Sequence, residues 1–551
     1  MTQQAQTTPA IVAERGAQRL PRLPLLLLCA AYLLPGLFGR DPWRNADLTA
    51  YGFMASIAEG HAPWWQPAIG GITASGGPLP YWVGALAIKA LPWLDPALAA
   101  RLPYATMLAC VLALVWYSAF NLARTEAAQP VAFAFGGEAQ AGDYARTLAD
   151  GALLALIASL GLLQLGHETT PELMQLMFAT LWLFGLAAAP FHAAQARIAT
   201  LVALPGLAAA GAPAVALVLA ALGLLLCARS SYAAVRALLP WLVVAGLLAG
   251  LAAWTFHAWA WRAALPHSFA ALRQVASLIA WFCWPSWPLA LWTFWRWRRH
   301  WQRRHIFVPF ACALVPAATC VLMAGSDRAL LLALPPLAVL AAFALPTLKR
   351  SLSAAIDWFS VFFFTAAALF AWVYYVSMQT GVPAQPLANL RRIAHGFEPR
   401  FDLLALLFAA LGTLAWLALV RWRTARHRHA LWKSLALPAG GVALCWLILM
   451  TLGLPAADYA RSNGPLVAAT RRALPARFNC LAAPGQPLAT LAALEFEGGW
   501  TVRADETVAR SGCDYALRAP DAPAPAGWQD LAGLRGPTDR GDAFILMRRL
   551  R

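Results

Sequence analysis

The sequence predicts an all-α polytopic membrane bundle of about thirteen transmembrane helices, followed by a small C-terminal soluble domain of α/β or mainly β type. Composition is the first ground: 60% of the 551 residues are hydrophobic, 12% are charged and the mean hydropathy is +0.58. That is more apolar surface than a soluble core of this size can bury. Continuity is the second. Backbone polar groups inside a bilayer must be satisfied within their own segment, and the apolar runs are unbroken rather than alternating, so the spans are helices and not barrel strands. The third is a change of composition beyond Asp458, where mixed polarity and Pro and Gly turns replace the apolar runs.

Taken in chain order, helices are expected near 20–39, 101–122, 147–165, 172–190, 197–211, 213–228, 237–256, 276–295, 306–325, 329–347, 353–377, 402–420 and 434–453. Residues 79–94 are apolar but short, Pro-bounded and interrupted by Lys89, and are placed along the outer interface. The 197–228 pair is short as well, and reads either as two spans or as a re-entrant hairpin. The division expected is a tail at 1–19, a membrane domain at 20–453 with an outer loop at 40–100, and a soluble domain at 454–551. No small-residue cleavage pattern follows the first apolar stretch, so no cleavable signal peptide is expected.

Orientation follows from the cations. Arg15, Arg19 and Arg22 precede the first span; Arg296, Arg298, Arg299, Arg303 and Arg304 form a second group. Lys349 with Arg350, and Arg421, Arg423, Arg426, Arg428 and Lys433, form others. With the N-terminus in the cytoplasm all of these fall inside, while 40–100, 166–171, 257–275, 378–401 and the tail fall outside. The net charge of +17 is thereby explained as topology; dispersed over loops, it forms no basic-aromatic groove, and no nucleic-acid partner is expected.

In the tail, runs at 488–496, 515–520 and 542–549 mark the soluble domain. Seven of the nine cysteines lie in apolar spans, where a thiol is a small hydrophobe. Cys480 and Cys513 flank a predicted strand and are expected to pair as a disulfide on an oxidising side, two free thiols being the alternative.

The chain has only 25 carboxylates, and those expected at the outer mouth are Asp41, Asp47, Glu59, Glu168, Glu172, Asp327 and Glu398. Ionisable groups beside hydrocarbon tend to mark sites or pathways. Asp47 opens an amphipathic helix whose spacing puts it on one face with Tyr51 and with Met54 or Ala55. Two readings of Asp47 stand: a helix N-cap, or a working carboxylate.

Asp47, Tyr51, Trp64, Pro67, Gly71 and the run "GPLPYW" (77–82) resemble the first outer loop of bacterial membrane glycosyltransferases of C-type architecture, the lipid A aminoarabinose transferases and the related protein O-mannosyltransferases. That loop has the pattern P-D-E-x-R-Y, a helix, D-W-x-x-P-x-x-x-G, then E-K-P-P-L-x-Y-W. "TTPEL" (169–173) aligns Glu172 with a second acid, "PHSFAALRQ" (266–274) aligns His267 and brings Arg273, and "DRALLLALPPLAVLAA" (327–342) brings Arg328. The resemblance implies inverting transfer of a sugar from a polyprenyl-phosphate donor to a periplasmic acceptor (lipid A, a glycan or a protein) by a multi-pass protein of the bacterial inner membrane, with membrane lipids and the donor as partners and no cofactor.

On that resemblance Asp47 is the base that takes the acceptor proton, or orients an acceptor that is already a phosphate, with Glu172 beside it. Tyr51, Trp64 and Tyr81 are candidate sugar contacts, although for most of the 26 tryptophans the interfacial belt is the ordinary role. The chain departs from the pattern at Leu48, Ala50 and Ser75-Gly76, which replaces a Glu-Lys pair. The lost Lys serves the lipid phosphate in the family, leaving Lys89, Arg262, Arg273 or Arg328 to do so here. The lost Glu is a family metal ligand, so no metal is expected and His267 is either a substrate contact or an interfacial histidine. Two other classes stay open: a lipid-linked sugar flippase or transporter, against which no inverted repeat is visible, and a non-catalytic subunit of an envelope polysaccharide complex.

Overall fold

The computed structural model describes residues 8–43, 45–259, 263–424, 430–536 and 543–550; Arg262, Arg426, Arg428 and the first residue of the 542–549 run lie outside them. The chain begins with an extended segment whose backbone hydrogen-bonds to residues 129–139: Val131 N–H donates to the Ala10 carbonyl and Ala139 N–H to that of Val12, both at 3.0 Å. Helices α1 (Arg22–Leu33), α2 (Ala46–Glu59), α3 (Leu79–Ala90) and α4 (Pro96–Ala123) follow. Between α2 and α3 lies a two-stranded hairpin, β1 (Ala68–Ile69) with β2 (Ile72–Thr73). Its turn is Gly70-Gly71, both at positive φ (57° and 85°), as a two-residue hairpin turn requires.

Next come α5 (Ala141–Ala158), α6 (Leu160–Leu165), α7 (Pro171–Ala188), α8 (Ala193–Ala209), α9 (Pro213–Ala228), α10 (Ala233–Arg236) and α11 (Leu239–Thr255). The chain continues through α12 (Phe269–Phe282), α13 (Ser286–Arg296), α14 (Arg304–Leu322), α15 (Asp327–Leu331), α16 (Leu334–Ala342), α17 (Arg350–Thr380), α18 (Ala384–Ile393), α19 (Leu403–Thr424) and α20 (Lys433–Leu449).

All thirteen expected ranges coincide with helical segments, but the count of spans is lower. Among the described residues, seven helices are long and apolar enough to cross a membrane, and up to nine if each of two bent pairs is one span. The reasons are local. The 276–295 range breaks at Pro285 into α12 and α13, which meet at 89°. Helices α1, α8 and α9 are apolar but short. Helix α5 carries Asp143, Arg146 and Asp150 and is buried along nearly its whole length against α4, α16 and α20. By contrast α17 and α19 turn Phe359, Phe362, Phe370, Leu404, Leu411 and Leu414 outward, an apolar surface that only lipid covers favourably. The chain is a multi-pass membrane protein.

Beyond α20 the chain turns by 71° into α21 (Leu454–Arg461), then α22 (Gly464–Ala473), α23 (Leu488–Ala492) and a five-stranded sheet. The strands are β3 (Leu481–Ala482), β4 (Val502–Arg503), β5 (Tyr515–Arg518), β6 (Trp528–Arg535) and β7 (Ala543–Arg549), in spatial order β4-β3-β5-β7-β6. Strands β4, β3 and β5 are parallel, and β5, β7 and β6 antiparallel, so the domain is α/β. Cys480 and Cys513, which precede the adjacent strands β3 and β5, are joined by a disulfide. The 488–496 run is helical: α23 and the π-turn after it lay small side chains on α2, where a Cβ on Gly52 would come within 2.6 Å of the Ala492 Cβ. The domain also touches the β1–β2 hairpin, Ala504 N–H donating to the Gly70 carbonyl at 2.8 Å and Gly70 N–H to Glu495 Oε2 at 3.0 Å.

The "GPLPYW" stretch fixes α3. A Cβ on Gly77 would lie 1.8 Å from the Ala209 carbonyl oxygen, at the end of α8, and Tyr104 O–H donates to the Pro80 carbonyl at 2.8 Å. Backbone cannot retreat as a side chain can. Gly77→Ala is therefore expected to destabilise the protein by about 1–3 kcal/mol, read as a lower Tm of the detergent-purified chain. Gly142→Ala, with nothing within 4 Å of the new methyl, is the control and is expected to leave Tm unchanged or slightly raised.

Candidate active site

Asp47 is in the first turn of α2 and is 1% exposed. The N-cap is Asn45, at φ 73° and ψ −125°, and its side chain does not cap the helix. The N-cap reading of Asp47 thus gives way to another arrangement. Oδ2 accepts from Arg40 Nη2 at 3.2 Å and from Trp43 N–H at 3.1 Å; Oδ1 accepts from Thr169 N–H at 2.7 Å and from Thr169 Oγ1 at 2.5 Å. A carboxylate has about four acceptor sites, and here all four are occupied. Burial opposes ionisation of this carboxyl, but the guanidiniums of Arg40 and Arg101 and the two Thr169 bonds outweigh it and hold Asp47 below the usual carboxylate range.

The loop around it is equally fixed. Arg40 Nη2 also donates to the His167 carbonyl at 3.0 Å and the guanidinium lies 4.7 Å from the Trp43 ring. Arg101, from α4, donates to the carbonyls of Leu37 at 2.8 Å and Arg40 at 2.9 Å. These residues were invisible to motif reasoning: Arg40 and Arg101 occupy no patterned position, and Thr169 contributes mainly by where the fold brings it.

One residue from Thr169, a second cluster opens toward solvent. Arg328, in the first turn of α15, donates to Glu168 Oε2 at 2.8 Å and to Glu172 Oε2 at 3.3 Å. Gln164 Nε2 donates to the other Glu168 oxygen at 2.8 Å. Glu168 is buried, whereas the Arg328 and Glu172 side chains are 25% and 21% exposed.

The other expected contacts divide. Lys89 Nζ stands 5.4 Å from the Trp64 ring, and Trp82 Nε1 donates to the Trp64 carbonyl at 2.5 Å. Tyr81 is buried against Phe53, ring centroids 5.1 Å apart. Tyr51 is half-buried on α2, its phenol pushed up by burial and by Asp95, Glu59 and Glu497. His267 and Arg273 are exposed, on the approach to α12 and on α12 itself, and are not joined to the Glu168–Arg328–Glu172 cluster. Among the described residues no three His, Cys, Asp or Glu side chains converge as metal ligands.

No protein-family profile and no curated protein matches the chain. Its similarity is to solved structures. Two crystal structures of ArnT from Cupriavidus metallidurans, one in the apo state and one bound to undecaprenyl phosphate, match with a TM-score of 0.58 each, at 14% and 15% identity. Each match covers 96% of this chain, and 96% and 97% of theirs. The chain has the ArnT fold. ArnT is the lipid A aminoarabinose transferase, and at 14% and 15% identity what the two chains share is the fold.

Within this ArnT-like framework the C-terminal domain adds a third cluster. Asp41 N–H and the Trp43 indole N–H both donate to Asp458 Oδ1 at 3.0 Å, and Arg461 lies 4.8 Å from the Trp43 ring. Burial and the charges of Asp41 and Asp458 push the Glu497 carboxyl up to about 8, and its Oε1 is buried without a hydrogen-bond partner among the described residues. Asp41 is likewise raised, by burial and then Asp95, with Arg101 opposing.

The signs of these shifts differ. A carboxyl raised in the fold contributes stability that is complete below its unfolded pKa of ~4.3 and lost as pH climbs through its folded value. Glu497→Gln is therefore expected to flatten the decline of Tm between about pH 4.3 and the folded value of about 8. Asp47 is depressed, so its contribution is complete above ~3.9 and lost as pH falls through its lower folded value. Asp47→Asn, which also strands a buried Arg40, is expected to lower stability by about 3–5 kcal/mol at neutral pH and to remove that acid-side loss, both read from Tm against pH.

Proposed function

We propose that the chain is a membrane glycosyltransferase that moves a sugar, with inversion, from a polyprenyl-phosphate donor to a periplasmic acceptor (lipid A, a glycan or a protein), and that it needs no cofactor. The ArnT fold supports the class, and the undecaprenyl phosphate bound in one ArnT structure supports the donor. The observation that carries the reading to particular residues is the partly exposed Arg328–Glu172 contact, backed by the buried Glu168, beside the locked Asp47.

In this reading the donor phosphate enters from the membrane and meets Arg328, the cation that takes over from the missing lysine at Ser75-Gly76. The Arg328–Glu172 contact is the longer of the two and the more exposed, so the incoming phosphate displaces Glu172 while Glu168, braced by Gln164, keeps hold of the guanidinium. Glu172, released, takes the proton of the acceptor hydroxyl as that oxygen attacks the anomeric carbon. The bond from the anomeric carbon to the phosphate oxygen breaks on the opposite face, and the polyprenyl phosphate departs with its new charge against Arg328. Asp47 has no open acceptor site; its role moves from base to positioning, holding Thr169 and hence the Glu168–Glu172 segment. Trp64 with Lys89 at its ring and the half-buried Tyr51 are retained as sugar or phosphate contacts; Tyr81 is assigned to packing. His267 and Arg273 stand apart from the cluster and have no step.

The orientation proposed is an inner-membrane protein with the N-terminus and basic loops in the cytoplasm and the C-terminal domain in the periplasm. The basic clusters support it, and so does the Cys480–Cys513 disulfide, which suits an oxidising compartment.

The test is transfer from a labelled polyprenyl-phosphate sugar in membranes. Glu172→Gln is expected to lower kcat by ~10²–10⁴ without changing accumulation, as loss of a proton acceptor does. Arg328→Ala is expected to abolish detectable transfer, with Arg328→Lys partly restoring it. Unchanged turnover in Glu172→Gln removes it as the base. No transfer by the wild type from any such donor, with the fold intact, would favour a non-catalytic subunit.

A further inference from the structure

At the other end of the bundle lies a pocket that the transfer reaction does not use. It has a volume of about 320 Å³ and is lined by Pro9, Trp295, Arg296, Arg298, Arg299 and His300. Helix α14 starts at Arg304, just beyond this loop, and ends at Leu322, just before Arg328. Its 19 residues, at ~1.5 Å each, put about 28 Å between the pocket and the Arg328 cluster. The two sites are on opposite ends.

The pocket is a built one. Its loop is held by the buried Trp297, whose Nε1 donates to the Phe343 carbonyl at 3.1 Å, and by backbone turns at His300 and Arg303. The facing wall, at Pro9, belongs to the N-terminal segment that is hydrogen-bonded to residues 129–139; Thr8 Oγ1 donates to the Gln129 carbonyl at 2.8 Å and Ala10 is fully buried.

Its charge is unbalanced. Among the described residues Arg298 and Arg299 make no hydrogen bond or ion pair, and Arg296 has only the Trp295 ring, 5.9 Å away. The carboxylates that pair at other arginines of the basic loops are already engaged: Asp143 by Arg19 and Arg146, Asp357 by Arg423. Residues 1–7, the rest of the N-terminal segment, contain no acid at all. Among the described residues no carboxylate pairs with Arg298 or Arg299, and both guanidiniums are exposed to an incoming anion. Trp295 and Trp301, 51% and 43% exposed, mark the depth of the bilayer interface, where amphipathic rings settle and where phosphate groups of lipids lie. Basic pockets at the ends of transmembrane helices on the positively charged side are suited to such head groups.

We propose that this pocket binds a phosphate mono- or diester, Arg298 and Arg299 supplying charge-assisted hydrogen bonds to its oxygens and Trp295 flanking its substituent. A soluble phosphate compound and an anionic phospholipid headgroup share that chemistry, and the interfacial tryptophans favour the second. Occupancy would clamp the N-terminal segment to the α13–α14 loop.

The test uses the purified full-length chain in a neutral detergent and follows Tm against added phosphatidylglycerol, phosphatidylcholine or inorganic phosphate. A rise that saturates at one phosphatidylglycerol per chain, absent with the zwitterionic lipid, is expected. An equal rise with inorganic phosphate assigns the site to soluble phosphates and also upholds it. Arg298→Gln/Arg299→Gln is expected to weaken half-saturation by at least ~10-fold, since each charge-assisted bond is a large share of such binding. Arg298→Lys/Arg299→Lys keeps the charge and is expected to weaken it less, which separates ligand loss from misfolding. No saturable rise with either phosphate source, the same rise with phosphatidylcholine, or an undiminished rise in the Gln variant would overturn the proposal.

Discussion

The buried ion pair between Arg40 and Asp47 is the constraint on which the rest of this end of the bundle depends. Two opposite charges, both almost fully removed from water, hold only because each is surrounded by further partners. Those partners come from four separate stretches of chain: the loop after α1, the first turn of α2, the His167–Thr169 corner before α7, and Arg101 of α4 behind them. Removing either charge leaves the other unpaired in a dry site. The pair therefore fixes where α7 begins, and with it the spacing of Glu168 and Glu172 around Arg328.

The C-terminal domain is coupled to the same loop. Asp458 accepts hydrogen bonds from the backbone N–H of Asp41 and the indole N–H of Trp43, while two cations approach the Trp43 ring, Arg40 at 4.7 Å and Arg461 at 4.8 Å. An indole ring approached by two guanidiniums stabilises both and draws no charge from the Asp47 pair. From the other direction α23 and Glu495 hold α2 and the β1–β2 hairpin. The domain is thus a wall of this end of the bundle and not a passenger on a linker. Burial first, and then the charges of Asp41 and Asp458, push the Glu497 carboxyl up to about 8, whereas the Arg40 and Arg101 guanidiniums and the Thr169 bonds outweigh burial at Asp47 and hold it low.

Much of this was legible in the sequence, and the reasons it was, or was not, are physical. Helical spans announce themselves because lipid demands continuous apolar runs, and the α/β tail because its composition changes; Asp47 stood out because a carboxylate beside hydrocarbon needs a cause. What stayed hidden depends on long-range packing. Nothing local says that Thr169 will close on Asp47 across 122 positions, or that Arg40 and not the solvent will neutralise it. Nor does the 488–496 run, which marks a soluble domain by its composition, say that it will pack on α2 across more than 400 positions. The excess of thirteen expected spans over seven to nine has the same origin: α5 is apolar enough to suggest a span, yet its charges and its burial belong to an inner helix surrounded by protein.

The saturation of Asp47 also sets it apart from Glu172 as a proton acceptor. A base must offer a lone pair along a path open to substrate, and its proton affinity must lie near the working pH. Asp47 offers neither: four donors fill it and two guanidiniums hold its affinity down. Glu172 has one oxygen on a long contact to Arg328 and its side chain partly in solvent. Among the described residues Glu172 pairs with Arg328 alone, so a ligand that competes for the guanidinium would free this carboxylate while leaving Asp47 locked.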